Sequence, residues 1–265
     1  MTLPPSVRDE NADDLRERFA ASGHLVLPGL LPDDLCRRLL PEVDHWVDRG
    51  LRERSIASSL APDRHGPPPL VELEMPAHAE LLTFTPLLER IAALMGGPFV
   101  HHHLHSARHG PDTEGKPWHH DREPHDGDRA DLLMVHALHY PAGLDATMGH
   151  LAVLPGSHRE RAGKTARAHL GTAVLPGETV IADLPPGSTV LLDSALFHAR
   201  RAVPHRGAGR DRYFIDASYC QVGGRWRPAK PHWRDMLRRA RRLELGGDRW
   251  PELFAERHFT EYSAG

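Results

Sequence analysis

Hydrophobic positions divide the chain into a helical first part and a strand-rich second part. In the first part, apolar residues recur at the three- and four-residue spacing of amphipathic helices, and one short apolar run reads as a strand. We therefore predict a layer of helices before the first long strand. The predicted helices cover 13–22, 32–43 and 85–95, and the predicted strand covers 24–28.

Proline and glycine set the expected boundaries of these elements. Thr85 precedes Pro86 and is predicted to cap the third helix, which Gly96 should close. The stretch 51–80 holds prolines and charges, including Gly66 followed by three prolines, and is predicted to be an irregular loop. We therefore expect no helix within 51–80.

From Phe99 onward the pattern becomes that of strands with turn residues between them. Many short strands with such turns are typical of a β-sandwich or barrel, a class that includes the jelly roll. The predicted strands cover 99–108, 132–140, 150–154, 179–184, 188–192 and 213–222, and two helices are expected at 233–245 and 250–258. Without a repeat or a linker, we predict one domain.

That domain has three predicted parts: a helical part at 1–98, a β core at 99–222 and C-terminal helices at 223–265. Its net charge is -3, which excludes the global basic field typical of nucleic-acid binding. Cys36 and Cys220 are the only cysteines and give no disulfide framework. We expect neither a signal peptide nor a membrane span, and therefore a cytoplasmic protein. We expect it to bind a small-molecule substrate and to bind neither nucleic acid nor membranes.

The composition, with its 21 histidines, is typical of a GC-rich bacterial genome, so the number of histidines does not by itself indicate a metal site. Candidate ligands must be identified from their positions in the sequence. His119 and Asp121 are two residues apart, and in a strand their side chains share one face while His120 points away. Another strand leaves the turn at Gly187 and ends at His198. Two histidines and one carboxylate can hold a metal ion and leave positions open on it. We predict that these three residues converge on one metal.

The chain resembles the phytanoyl-CoA dioxygenase family of iron(II)- and 2-oxoglutarate-dependent oxygenases over roughly residues 13–222. The motifs occur in the family's order. They are the opening helix and strand within 15–31, Trp118-His119-His120-Asp121, the Pro-Gly-Ser-His segment at 155–158, the strand ending at His198, and Arg212 followed by Tyr219.

This resemblance implies a double-stranded β-helix (jelly-roll, cupin-like) core with flanking helices, in a mainly β fold. It also implies that His119, Asp121 and His198 bind Fe(II), and that Arg212 binds the distal carboxylate of the cosubstrate 2-oxoglutarate. The implied activity is a dioxygenase that uses O2 to hydroxylate a C–H bond and releases succinate and CO2. Since Asp121 is present, halogenation, in which a small residue replaces the acidic ligand, is disfavoured.

Three points stay open on the sequence. Arg210 competes with Arg212 as the cosubstrate anchor, because the stretch before it lacks the family's asparagine; the position of Arg212 directly before an apolar strand favours it. Two other functions compete: a cupin-like metal isomerase or hydrolase without 2-oxoglutarate, and a catalytically silent ligand-binding barrel. The histidines of 101–105 are assigned to the pocket wall or solvent, and the Pro-Gly-Ser-His segment to a tight turn with His158 facing solvent.

Overall fold

The computed structural model describes residues 11–122, 131–160, 162–203 and 209–263. Strands dominate its second part, as predicted, and every strand pair is antiparallel. The strands within these ranges are β1 (His24–Leu27), β2 (Phe99–His109), β3 (Lys116–His119), β4 (Met134–Tyr140), β5 (Leu151–Val153), β6 (Thr179–Ile181), β7 (Ser188–Asp193), β8 (His198–Arg200) and β9 (Arg212–Gln221).

The strands form two sheets, one of five strands in the order β1-β7-β4-β9-β2 and one of four in the order β3-β8-β5-β6. A buried apolar cluster joins their facing sides, with Leu138 and Val190 from the larger sheet against Leu151 and Val153 from the smaller one. Two antiparallel sheets packed face to face in this way bury their inward side chains. The predicted jelly-roll fold, mainly β with flanking helices, is confirmed.

Helices cover the outer face of the larger sheet. Their apolar sides and the outward residues of that sheet, such as Val135 and Ala217, belong to one large core. This explains why the central strands β4 and β7 of the larger sheet are buried on both faces. The helices are α1 (Ala12–Ser22), α2 (Asp33–Asp48), α3 (Leu51–Leu60), α4 (Pro62–His65), α5 (Pro76–Leu82), α6 (Thr85–Met95) and α7 (Trp233–Arg242). No helix in the described ranges has the length and apolarity that a membrane crossing requires.

The prediction of an irregular loop over 51–80 is wrong. This stretch contains α3, α4, a short 3₁₀ helix at Glu72–Glu74 and most of α5. Pro62 and Pro76 each occupy the start of a helix, where the missing N–H has no helical partner to lose. Here proline begins helices, and the sequence reading had treated it as a breaker.

The predicted cap of the third helix and the predicted helix at 250–258 also differ from the structure. Phe84, and not Thr85, precedes α6 as its cap, while Gly96 closes the helix in the left-handed conformation as expected. The predicted helix at 250–258 is a series of turns with one 3₁₀ helix, Glu256–His258. Its aromatic residues pack into the core from an irregular backbone. Their spacing is therefore set by tertiary contacts and does not indicate a helix.

Candidate metal centre and its cavity

His119 and Asp121 are placed by the end of strand β3. His119 is the last residue of β3 and pairs with His198 of β8. Asp121 lies beyond the strand, so the expectation that one strand carries both residues is wrong. The backbone N–H groups of Asp121 and Arg122 both donate to the carbonyl of Ser194, each at 2.8 Å. This anchor turns the Asp121 carboxylate back toward His119.

His198 begins a strand instead of ending one, which corrects the sequence reading. Strand β7 ends at Asp193 in the larger sheet, and the chain then crosses to the smaller sheet, where β8 starts at His198. The crossing is held by the Ser157 hydroxyl, which accepts a hydrogen bond from the Phe197 N–H at 3.0 Å.

The Pro-Gly-Ser-His segment thus positions the residue next to a candidate ligand. It forms a tight turn, as predicted, with Gly156 in the left-handed conformation before a 3₁₀ helix at Ser157–Arg159. His158 does not face solvent freely: its ring is half-buried, and Nε2 donates to the carbonyl of Ala20 at 3.1 Å. The turn therefore also fastens helix α1 to the sheet.

The two histidines and the aspartate converge on one point. Each offers a ligand atom within 4.8 Å of the others. The Asp121 carboxylate approaches both rings, with Oδ1 at 3.8 Å from Nε2 of His119 and Oδ2 at 3.4 Å from Nε2 of His198. Among the described residues, these are the His, Cys, Asp or Glu groups that meet at metal-binding distance.

Hydrogen bonds fix the tautomer of both histidine rings so that Nε2 is available to bind a metal. Nδ1 of His119 lies 2.7 Å from the Pro117 carbonyl, and Nδ1 of His198 lies 3.0 Å from the Leu196 carbonyl. Since a carbonyl only accepts, both Nδ1 atoms carry the hydrogen and both Nε2 atoms keep a lone pair. The buried Nε2 of His119 has no hydrogen-bond partner within the described part of the chain. The donor set fits a divalent transition metal.

Electrostatics favour the protonation states that metal ligands need. Burial lowers the pKa of His119 to about 3, with help from neighbouring His198, and burial also lowers the pKa of His198. Burial opposes ionisation of Asp121, but the imidazoles of His198, His136 and His119 outweigh it and hold its pKa below the usual range. Neutral imidazoles and an ionised carboxylate are the forms that coordinate metals.

The other described histidines near this centre are not part of the converging group. His120 donates from Nε2 to the Ala162 carbonyl at 3.1 Å and packs edge-on against Phe197. In β2, a bulge between His101 and His103 breaks the predicted alternation of faces. His105 lies on the cavity wall, as predicted, but the assignment is wrong for His101 and His102, which are buried against Phe254 and Phe259 and are not among the cavity-lining residues.

A cavity of about 270 Å³ opens beside the three converging residues. Both sheets contribute to its wall, in which polar and charged side chains alternate with apolar surface. It is lined by His105, His109, Lys116, His119, Asp121, Leu138, Leu151, His198, Arg200, Arg212, Phe214 and Asp216. The volume lies near the lower end of the range for small-molecule sites.

Arg212 is buried in this cavity, whereas Arg210 is not. Nη2 of Arg212 donates to the Tyr140 hydroxyl at 2.9 Å, and Nε and Nη1 find no partner among the described residues. Arg210 has 71% of its side chain exposed and pairs with Asp145 on the surface. Of these two arginines, Arg212 is the one that presents buried, unsatisfied guanidinium donors to the cavity.

Four further residues of the cavity region escaped the sequence reading. Arg200 faces the cavity, and burial together with nearby Arg212 lowers its pKa to about 10. Tyr140 and His136 come from β4, and nothing in their sequence context distinguishes them. Asp216 could have been found, because it lies four residues after Arg212 on one strand and therefore on the same face.

Crystal structures of known enzymes share this fold. HygX from Streptomyces hygroscopicus matches with a TM-score of 0.54 and 20% identity, covering 80% of this chain and 87% of that one. AviO1 from Streptomyces viridochromogenes matches with a TM-score of 0.54 and 20% identity, covering 80% and 96%. The epimerase SnoN from nogalamycin biosynthesis, described as non-heme and α-ketoglutarate dependent, matches with a TM-score of 0.51 and 15% identity, covering 80% and 83%.

The chain has the same fold as these enzymes. HygX has been crystallised with iron, and with nickel, 2-oxoglutarate and hygromycin B. SnoN has been crystallised with Fe3+, α-ketoglutarate and nogalamycin RO. No protein-family model matches the chain, and no curated protein matches it.

Proposed function

We propose that the chain is an Fe(II)- and 2-oxoglutarate-dependent dioxygenase that hydroxylates a C–H bond of a small organic molecule. One observation carries the proposal: the His119, Asp121 and His198 cluster opens into the same cavity as the unsatisfied guanidinium of Arg212. This combination suits a dicarboxylate: one end would chelate the metal at its open positions, and the other would bind the buried arginine in the same cavity. The motif order that resembles the phytanoyl-CoA dioxygenase family supports the same function.

Three residues would hold the iron. Nε2 of His119, Nε2 of His198 and the Asp121 carboxylate form a two-histidine, one-carboxylate set on adjacent sides of one point. The Nδ1 hydrogen bonds to Pro117 and Leu196 fix both rings in the orientation that presents Nε2. When bound, iron(II) with 2-oxoglutarate and O2 supplies the oxidising chemistry, with succinate and CO2 as the other products.

Arg212 would bind the distal carboxylate of 2-oxoglutarate. Guanidinium holds a carboxylate through two parallel hydrogen bonds, and two donor groups of Arg212 are unsatisfied in the cavity. The rings of Tyr140 and Phe214 lie against the guanidinium, 5.3 and 5.7 Å from its central carbon. Their contacts and the Tyr140 hydroxyl keep the arginine in place before a ligand arrives.

Hydroxylation can be separated from the other outcomes of this chemistry by mass. A hydroxylated product contains one more oxygen atom than the substrate, whereas an epimer, as expected of an enzyme like SnoN, has unchanged mass. A desaturated product lacks two hydrogens. Because relatives in fold bind natural products such as hygromycin B, we propose a small organic substrate, in a cytoplasmic, single-domain enzyme of secondary metabolism.

The test combines cosubstrate binding with turnover. Under anaerobic conditions, Fe(II) and 2-oxoglutarate should together give a weak visible absorption band with the purified protein. On admission of O2, a screen of metabolite pools for succinate release should identify the substrate, and mass spectrometry should find the oxygen in its product. A protein that binds metal but never converts 2-oxoglutarate would instead favour a silent ligand-binding barrel.

A metal-dependent isomerase or hydrolase on the same ligands is distinguished by the arginine. Such an enzyme has no use for 2-oxoglutarate, so Arg212→Ala should leave its activity largely intact. For the proposed dioxygenase the same change should greatly weaken cosubstrate binding and lower activity at ordinary 2-oxoglutarate concentrations.

A further inference from the structure

Asp216 occupies a part of the cavity wall that neither the metal nor 2-oxoglutarate needs. It lies on β9 four residues after Arg212, and the two side chains face the same cavity. Asp216 lines the same cavity as Asp121 and His198, and its hydrogen-bond partner is His136. A bound 2-oxoglutarate is a dianion, so an aspartate here repels the cosubstrate and is free to select another ligand.

His136 holds the Asp216 carboxylate in a fixed orientation. Its Nδ1 lies 2.9 Å from Oδ1 and 3.0 Å from Oδ2, and the ring is 2% exposed. Burial opposes protonation of His136, but the charge of Asp216 raises its pKa to about 9. On the other side, Nε2 of His103 lies 3.7 Å from Oδ2. The hydrogen bond from His136 on β4 thus orients the carboxylate, while His103 on β2 lies close to it on the neighbouring strand.

The Asp216 carboxylate still has acceptor capacity that faces the cavity. An ionised carboxylate offers about four lone-pair positions, and the hydrogen bond from His136 leaves most of them unused. The Asp216 side chain keeps 13% of its surface exposed. A hydrocarbon group bound against the Asp216 carboxylate would displace its water without supplying a hydrogen bond, and this desolvation is unfavourable. A ligand group that donates a hydrogen bond avoids that loss.

We infer that Asp216 binds the substrate through a hydroxyl or ammonium group, and that His136 is the positioning residue that orients this carboxylate. The substrate class is therefore a polar, hydrogen-bond-donating molecule such as a polyol or an amino sugar, and not an acyl chain. This inference rests on the proposed function, because it takes the metal and Arg212 to be engaged by the oxygenase chemistry.

The test titrates the whole protein, loaded anaerobically with Fe(II) and 2-oxoglutarate, with three probes. These are myo-inositol for hydroxyl groups, D-glucosamine for an ammonium group, and octanoate for an acyl chain, with affinity measured by calorimetry. At least one polar probe should bind, and octanoate should not. Asp216→Asn should weaken the polar probe about tenfold or more, as expected for a hydrogen bond to a charged group.

Two variants of His136 separate positioning from packing. His136→Leu removes the donor to Asp216 and should weaken the polar probe, whereas His136→Asn, whose amide can donate from nearly the place of Nδ1, should restore part of the affinity. The matched control is Glu252→Gln, which alters a carboxylate that pairs with His258 at 2.6 Å and is not among the cavity-lining residues. It should leave probe binding unchanged.

The outcomes separate this inference from the proposed function. If octanoate binds more tightly than both polar probes, if neither polar probe binds, or if Asp216→Asn binds them as the wild type does, the inference is overturned. A wild-type protein that forms no complex with Fe(II) and 2-oxoglutarate would overturn the proposed function instead. Should Asp216→Asn fail to fold, a crystal structure of the wild type with the polar probe decides, because the donor group must lie within hydrogen-bond distance of Asp216.

Discussion

Nη2 of Arg212 donates a hydrogen bond to the hydroxyl of Tyr140, 2.9 Å away and fully buried. Tyr140 ends β4 and Arg212 begins β9, two strands paired in the larger sheet. The bond occupies one guanidinium nitrogen and leaves Nε and Nη1 directed at no described partner. The desolvation of this buried cation is only partly compensated, so binding of an anion at Nε and Nη1 is energetically favourable.

Replacing this arginine should therefore affect the cosubstrate most. We expect Arg212→Ala to raise the KM for 2-oxoglutarate about tenfold to a hundredfold or more, the usual scale for charge-assisted hydrogen bonds. Steady-state kinetics of succinate release at varied 2-oxoglutarate measure this. Arg210→Ala is the matched control, because Arg210 is exposed and pairs with Asp145; an equal effect of both variants would contradict the assignment.

Loss of a proposed ligand should abolish the iron site, and loss of its neighbour should not. His119→Ala and Asp121→Ala are each expected to lose the visible band of the Fe(II) and 2-oxoglutarate complex and bound iron, because two ligands rarely retain the metal. His120→Gln should keep both, since glutamine can still donate toward the Ala162 carbonyl. Metal analysis and absorption spectra give the answer, and normal iron content in both alanine variants would show that the ligands lie elsewhere.

The hydroxyl of Ser157 supports the strand crossing before His198. Ser157→Ala removes the acceptor of the buried Phe197 N–H, and an unsatisfied buried donor costs about 1–3 kcal/mol. We expect a loss of that size in the free energy of unfolding, measured with urea. We also expect weaker iron binding, because His198 directly follows the released residue. Unchanged stability would mean that water replaces the hydroxyl.

Glu72 should make the protein less stable as pH rises. Its carboxylate accepts a hydrogen bond from the Ser106 N–H at 2.6 Å, but burial dominates and raises its pKa from 4.5 to about 7. Between these two values the folded state binds more protons than the unfolded state, so stability falls with rising pH. The loss is complete above about pH 7 and is on the order of 3 kcal/mol.

Glu72→Gln should remove this dependence. The amide keeps an acceptor for Ser106 and does not ionise, so the variant should gain stability over the wild type at pH 8 and match it near pH 4. Urea unfolding at both pH values measures the difference. Glu53→Gln, at a side chain that is 71% exposed, is the control and should follow the wild type. A wild-type-like pH profile in Glu72→Gln would assign the pH dependence to other groups.

Gly187 and Gly177 form a matched pair for testing close packing in the fold. Both have a left-handed φ, +77° and +80°, so alanine is strained equally at either position. A Cβ at Gly187 would also meet the Leu31 carbonyl oxygen at 2.5 Å, whereas at Gly177 it would meet nothing within 4 Å. We expect Gly187→Ala to lower the free energy of unfolding clearly more than Gly177→Ala, and equal losses would contradict the packing.

The sequence predicted the strands better than the helices. Alternation and turn residues located all six predicted strands of the core within a few residues, because a strand with its turns is a local pattern. The separate expectation that the strand leaving Gly187 ends at His198 is wrong, because the chain changes sheets between Asp193 and His198. Proline misled the prediction over 51–80, since the same residue begins a helix or breaks one, depending on which backbone groups find partners.

Spacing and motif order alone were sufficient to single out His119, Asp121, His198 and Arg212 as candidates. Local sequence carries such information because ligand types and strand periods are properties of a few neighbouring residues. Only the tertiary structure brought Tyr140 against Arg212 and His136 against Asp216, across 72 and 80 positions of the chain. Contacts at that separation depend on how two sheets pack and register, and no local pattern encodes them.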